Sequence, residues 1–247
     1  MANTPWILTI DADEVLTVEQ GRHLSTFVSG STAAVEIKVT NGRAYWYVTR
    51  LFKKTTETKY VGLVHEWLST DGNIARSDQI TITNLPDKTG KESSIERDLR
   101  LCHEELQIDP TNMRAAFYLA RALRRNGEHL KALEYYDAVK NKSDSKILRY
   151  NSAIQSALSN MLIQKYEDAF EAAQFANSLV PLMPDAYCLM GDASLGLSNI
   201  FAAREYYELA LQARPSNQSG LFHDESSRSE YPSSQLSMIN RILSKID

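Results

Sequence analysis

Apolar residues recur in two rhythms along this chain, and the rhythm changes near residue 93. Before that point they come in short runs or at every second position, as in strands with a buried face. The run WILTI (residues 6–10) is short, rich in β-branched and aromatic side chains and preceded by Pro5, which predicts a strand. AAVEIKV (33–39) alternates, Asn41-Gly42 offers a tight turn, and RAYWYVTRLF (43–52) returns as an aromatic strand, so the three together predict a hairpin. Residues 60–64 and 79–83 predict two more strands, with EWLSTDGN between them as a loop. Ahead of the hairpin, Thr17 caps a predicted helix with Gln20 at its third position, Leu24, Phe27 and Val28 along its apolar side, and Gly30 at its end.

From Ser93 onward the period lengthens. Ala132, Ala169 and Ala203 hold the same place in a pattern of small and aromatic residues, 37 (169 − 132) and 34 (203 − 169) residues apart. A recurrence of about 34 residues resembles the tetratricopeptide repeat, a helix pair that buries its apolar face only by stacking on the next pair. The third copy matches that pattern at Tyr187, Met190, Gly191, Ala203, Tyr207, Ala210 and Pro215. The first matches at Ala116, Leu119, Ala120, Leu123, Gly127, Ala132 and Tyr136, and the second at Ala153, Ala157, Ala169, Ala176 and Pro181. Residues 94–110 precede them as half a repeat. Residues 232–246 form a candidate capping helix, with Leu236, Ile239, Ile242 or Leu243, and Ile246 on one side, after a polar loop over 218–231. The expected domains are a sheet over 1–88, helical repeats over 93–217, and a loop with a capping helix over 218–247.

Composition changes this picture little. The 247 residues, 43% hydrophobic and 23% charged, fit one large or two small globular domains, and a net charge of −4 gives no global attraction for nucleic acid or an anionic membrane. Cys102 and Cys188 each sit in a helical pattern and suggest neither a disulfide framework nor a thiolate metal site, which fits a reduced, cytoplasmic setting. No apolar run approaches the ~20 residues of a membrane helix. Arg121, Arg124, Arg125 and Lys131 cluster on the first repeat and read as a solvated helix face.

Chemistry gathers at the end of the first strand, where WILTI runs into Asp11, Asp13 and Glu14. If the strand continues, alternation puts Asp11 and Asp13 on one side, and such a pair calls for a counter-charge, commonly a divalent cation. A bare D-x-D is also what a solvated turn looks like. Arg50, at the end of the aromatic strand, is either a ligand contact or an ion-pair partner. His65 and Glu66, before Trp67, are either a site or a hydrogen-bonded rim of the sheet.

The succession WILTIDADEVL, TRLFKK, YVGLVHEWL, ITIT and helical pairs from HEELQIDPTNMRAAFYLARAL resembles the family-two glycosyltransferases of GT-A type that carry a tetratricopeptide extension. The resemblance implies an α/β plus all-α fold: a truncated GT-A-like mixed sheet followed by a tetratricopeptide α-solenoid. It implies transfer of a sugar from a nucleotide-sugar donor to a glycan, lipid or protein acceptor. Mn2+ or Mg2+ would be held chiefly by Asp13, with Asp11 on the ribose or the metal through water and Glu14 in support. Arg50 would contact the donor, and Glu66 would serve as general base, with His65 beside the acceptor. Two features depart from that pattern. Such enzymes carry a nucleotide-binding half before the acidic strand, whereas Met1 lies five residues before Trp6, so a separately encoded half is an expected partner. Asn84 follows ITIT where a metal-binding histidine is usual. DADEVL also resembles the first motif of haloacid-dehalogenase-type phosphatases, but helical repeats stand where that fold needs further strand–helix units. The remaining alternative is a non-catalytic adaptor whose repeat surface binds a protein partner.

Overall fold

The computed structural model describes residues 4–28, 30–42, 44–55, 57–85, 93–214, 221, 223–224 and 226–245. The chain forms two compact units, residues 1–91 with 219–223, and residues 92–218 with 224–247.

The first unit is built on a sheet of β1 (Trp6–Leu8), β2 (Glu14–Val18), β3 (Thr32–Thr40), β4 (Ala44–Lys53) and β7 (Asn73–Asn84) in the order β1-β4-β3-β7-β2. β5 (Lys59–Val61) and β6 (Trp67–Ser69) form a separate hairpin. The Asn41-Gly42 turn forms as predicted. Gly42 takes φ +86°, the Asn41 side chain accepts a 2.9 Å hydrogen bond from the Ala44 amide, and β3 and β4 pair Thr40 with Tyr45 and Val39 with Trp46. Alternation along β3 sends Val35, Ile37 and Val39 to one face, where they meet Leu51, Ile80 and Ile82, with Leu16, Leu24, Phe27 and Val28 packed against them. On the opposite face Arg76 donates to Glu36 at 2.8 Å and lies over the Tyr47 ring at 4.1 Å, while the Tyr47 hydroxyl donates to Asp78.

Several expectations need correction. Residues 6–10 are not an inner parallel strand: β1 spans three residues, lies at the sheet edge and pairs antiparallel with β4, Trp6 opposite Lys53 and Leu8 opposite Leu51. No helix starts at Thr17, which lies in β2 opposite Thr81. A ladder with β7 there suits the β-branched Thr17 and Val18 better than a helical turn does. Only one 3-10 turn, Leu24–Phe27, remains, and it still delivers Leu24, Phe27 and Val28 to the core. EWLSTDGN is no loop, since it supplies β6 and the first residue of β7. β3 and β7 make the sheet's parallel pair; the other neighbours along its path are antiparallel. The acids thus follow an antiparallel edge strand and not an inner parallel one whose carboxyl end could open onto a donor, so the truncated GT-A-like sheet is not what these residues form.

The second unit is an α-solenoid: α1 (Ser94–Ile108), α2 (Met113–Arg125), α3 (His129–Lys142), α4 (Lys146–Leu162), α5 (Tyr166–Leu179), α6 (Pro184–Gly196), α7 (Ile200–Gln212) and α8 (Glu230–Leu243). Each helix from α1 to α7 packs on the next; α2 also touches α4, and α4 touches α6, so these three form one layer. Ala132, Ala169 and Ala203 are fully buried at the equivalent place in α3, α5 and α7. Gly191 is required in α6, because a Cβ there would come 2.8 Å from the Tyr207 ring. The capping helix α8 packs Leu236, Ile239 and Leu243 against Ala203, Tyr207, Leu195 and Ile200, and turns Ile242 outward. Of the expected positions, Pro215 and Ile246 lie outside the described residues.

The turn inside each pair repeats one backbone conformation, positive φ at Gly127 (83°), Gln164 (60°) and Ser198 (60°), and only the first is glycine. A left-handed conformation costs a side-chain-bearing residue about 1 kcal/mol, partly offset by the larger chain entropy that glycine loses on folding. Gln164→Gly is therefore expected to raise the stability of the helical unit by about 0.5 kcal/mol. Denaturant titration followed by far-UV circular dichroism checks this, and a loss of stability would contradict it.

Candidate interaction surface

The acidic segment of the first unit is a turn, not the continuation of a strand. The Glu14 amide donates to the Asp11 carbonyl at 3.1 Å and the Asp11 amide to Glu14 Oε2 at 2.8 Å, which folds the Glu14 carboxylate back beneath the turn. Its counter-charge arrives from β4: Arg50 Nη2 lies 2.7 Å from Glu14 Oε1 and 3.1 Å from Asp11 Oδ2. The Glu14 side chain is 1% exposed, that of Asp11 63%. Asp13 is half-buried, and its carbonyl accepts from the Leu85 amide at 2.8 Å. The expectation of paired aspartates on one strand face therefore fails, because alternation does not run through a turn. Among the described residues no cluster of three His, Cys, Asp or Glu side chains gathers as a metal site. Asp11 and Glu14 turn oxygens toward a guanidinium, a donor arrangement that does not suit the expected Mn2+ or Mg2+. Arg50, expected to contact the donor or to serve as an ion-pair partner, is the ion-pair partner of Asp11 and Glu14. His65 and Glu66 are exposed in the turn between β5 and β6, His65 at φ +51°, on a different sheet from the acids.

The helical unit carries a more developed surface. In α2 the small and apolar Ala115, Ala116, Leu119, Ala120, Ala122 and Leu123 are buried. Helical spacing leaves Arg114, Tyr118, Arg121 and Arg125 as one stripe on the side away from them. The Tyr118 ring sits between two guanidinium groups, Arg114 at 4.9 Å and Arg121 at 5.5 Å, and Arg121 also approaches Phe117 at 5.8 Å. Arg124 adjoins the stripe, and its Nε is buried without a hydrogen-bond partner. Arg125 donates to Ser94 at 3.0 Å and lies 3.9 Å from the buried Asp98, which also pairs with Arg97 at 3.1 Å. Lys131, grouped with these arginines on sequence grounds, belongs to α3 and pairs with Glu128 at 2.5 Å. Beneath the arginines the Tyr136 phenol is pushed up to about 12 by burial, against the opposing pull of Arg124 and Arg121.

On α4 the positions of Arg114, Tyr118, Arg121 and Arg125 are taken by Asn151, Gln155, Leu158 and Leu162, with Ile154 beside them; all are half-buried except the exposed Leu162. On α6 the residues that match Asn151, Ile154 and Leu158 are Asp185, Cys188 and Asp192, and the chain covers them itself. Ser227 donates to Asp185, the Cys188 thiol approaches the Ser227 carbonyl at 3.6 Å, and Tyr231 and Tyr207 both donate to Asp192 Oδ1 at 2.6 Å. The face of the α2, α4 and α6 layer thus runs from cationic and aromatic, through uncharged with apolar Ile154, Leu158 and Leu162, to closed. Sequence reasoning missed the stripe as a unit, although the spacing i, i+7, i+11 of Arg114, Arg121 and Arg125 opposite Ala116 and Ala120 was there to be read.

Burial raises the Asp192 carboxyl above the ordinary aspartate range, although its two phenol hydrogen bonds pull it down. A carboxyl raised in the folded state holds its proton more tightly there than in the unfolded chain. Its contribution is therefore fully present below the ordinary aspartate range and is lost as pH rises through that range to the raised value. The stability of the native chain relative to an Asp192→Asn variant is expected to fall with rising pH across this window. Thermal melts at stepped pH check it, and a difference independent of pH would contradict it.

No protein-family model and no curated protein matches the sequence. Among solved structures, the chain is similar to MamA (41-end) from Desulfovibrio magneticus RS-1, at 15% identity over 63% of this chain and 89% of that one, with a TM-score of 0.47. It is similar to the Sgt2 TPR domain from Aspergillus fumigatus, at 18% identity over 54% and 80%, with a TM-score of 0.44. It is similar as well to the first TPR of Spaghetti (RPAP3) bound to an HSP90 peptide, at 18% identity over 55% and 96%, with a TM-score of 0.43. Two of these three are described as tetratricopeptide domains and none as a glycosyltransferase. Among the described residues no helix is long and apolar enough to cross a membrane. The antiparallel edge strand and the arginine-bound acids overturn the GT-A resemblance, and with it the glycosyltransferase, D-x-D and metal-binding expectations.

Proposed function

We propose that the chain is a non-catalytic scaffold that holds a protein partner on the α2–α4 part of its helical layer. The observation that carries this is the partly exposed row of Arg114, Tyr118 and Arg121 beside the half-buried Ile154 and Leu158, a cationic and aromatic strip next to an apolar one. Aromatic and arginine side chains that are held in place and partly desolvated are the usual carriers of binding energy at protein interfaces. Stacked helix pairs give that strip a firm backing, since each helix is fixed by both neighbours.

The test is quantitative affinity capture with the full chain. Arg121→Glu combined with Leu158→Glu is expected to deplete a defined set of captured proteins, whereas Leu130→Glu on the exposed side of α3 leaves that set intact. Equal capture by both variants would count against the reading.

A further inference from the structure

The scaffold reading leaves the chemistry of the partner open, and the charges on α2 narrow it. The helix MRAAFYLARALRR carries Arg114, Arg121, Arg124 and Arg125 and no acidic residue, in a chain whose net charge is −4. Among the described residues neither Arg121 nor Arg124 lies within ion-pairing distance of a carboxylate, and the Asp98 carboxylate near Arg125 is shared with Arg97. Like charges crowded on one helix repel and disfavour the folded state. Here they are held together by the Tyr118 and Phe117 rings. Such an arrangement leaves the Arg121 guanidinium available to acceptors supplied from outside.

We infer, resting on the scaffold reading, that α2 binds an extended acidic segment of a partner polypeptide through several of its side-chain carboxylates. Spacing supports an extended segment. Arg121 and Arg125 are four residues apart, about 6 Å along the helix, and Arg114 and Arg121 about 10 Å. Side chains two and four residues apart on an extended chain share one face and are separated by about 7 and 13 Å. The arginines span about 16 Å in all, too long for one terminal carboxylate and matched to a run of acids. Apolar residues next to that run would meet Ile154 and Leu158 on α4.

The experiment uses the full chain and a short fluorescein-labelled peptide of glutamates spaced by serines and leucines, amidated at its C-terminus. A glutamine analogue and single-stranded polyuridylate serve as comparators. The acidic peptide is expected to bind, to weaken as salt is raised, and to lose about tenfold in affinity with Arg121→Glu. Arg121→Gln, a gentler change, is expected to give a smaller loss in the same direction, and Lys131→Glu none. Circular dichroism confirms that each variant is folded. The inference is overturned by absence of binding, by equal affinity for the glutamine analogue, by indifference to both Arg121 variants, or by tighter binding of polyuridylate. If the peptide fails while the combined Arg121→Glu and Leu158→Glu variant still loses captured proteins, the acidic chemistry falls and the scaffold stands.

Discussion

Arg50→Met is expected to cost the first unit about 3–5 kcal/mol, the usual penalty for leaving a buried charge without its partner. The Glu14 carboxylate is almost wholly out of water, and the guanidinium 2.7 Å away is its cationic partner in the structure; the Asp11 amide supplies one hydrogen bond but no charge. Glu14→Leu together with Arg50→Met should recover most of the loss, because replacing both members of a buried pair removes the stranded charge. The protein carries a convenient reporter: its three tryptophans, Trp6, Trp46 and Trp67, all lie in the first unit. Urea titration followed by tryptophan fluorescence therefore reads this unit alone. A loss below about 1 kcal/mol would mean that the pair behaves as a surface salt bridge.

Tyr207→Ala is expected to cost the helical unit about 3–5 kcal/mol, the range for deleting a buried aromatic side chain. The ring is fully buried, fills the space left by Gly191 and contacts the capping helix through Ile239. Its hydroxyl is also one of two donors to the buried Asp192 carboxylate, so the alanine variant weakens the site that holds Tyr231. Tyr207→Phe keeps the ring and loses one hydrogen bond to a charged group, for which about 1.5–3 kcal/mol is expected. Far-UV circular dichroism follows the unfolding, and limited proteolysis shows whether α8 detaches first. If the alanine variant melts like the native protein, the Tyr207 packing described above is wrong.

What could be read from the sequence was local. The alternation of residues 33–39 and the Asn41-Gly42 turn specify a hairpin through neighbouring residues, and the structure contains it. The spacing of Ala132, Ala169 and Ala203 specifies stacked helix pairs, because small residues recur where helices must approach. What could not be read was pairing at a distance. WILTI looks the same as an inner strand or an edge strand until β4 is placed beside it. The acids looked like a cation site because Arg50, which neutralises two of them, is 39 and 36 residues away in sequence. Thr17 reads locally as a helix cap, and pairing with the distant Thr81 makes it a strand residue instead. On α6, the residues that would continue the open face are hidden by Ser227 and Tyr231, a contact between positions about forty residues apart.

The most direct measurement is site-specific photocross-linking in cells, with a benzophenone side chain placed singly at positions 121, 154 and 133 of the full chain. Cross-links to partner polypeptides from positions 121 and 154, and none from 133, are the predicted result. Cross-links from 133 with none from 121 or 154, or none from any of the three, would contradict a protein-binding surface on the α2–α4 face.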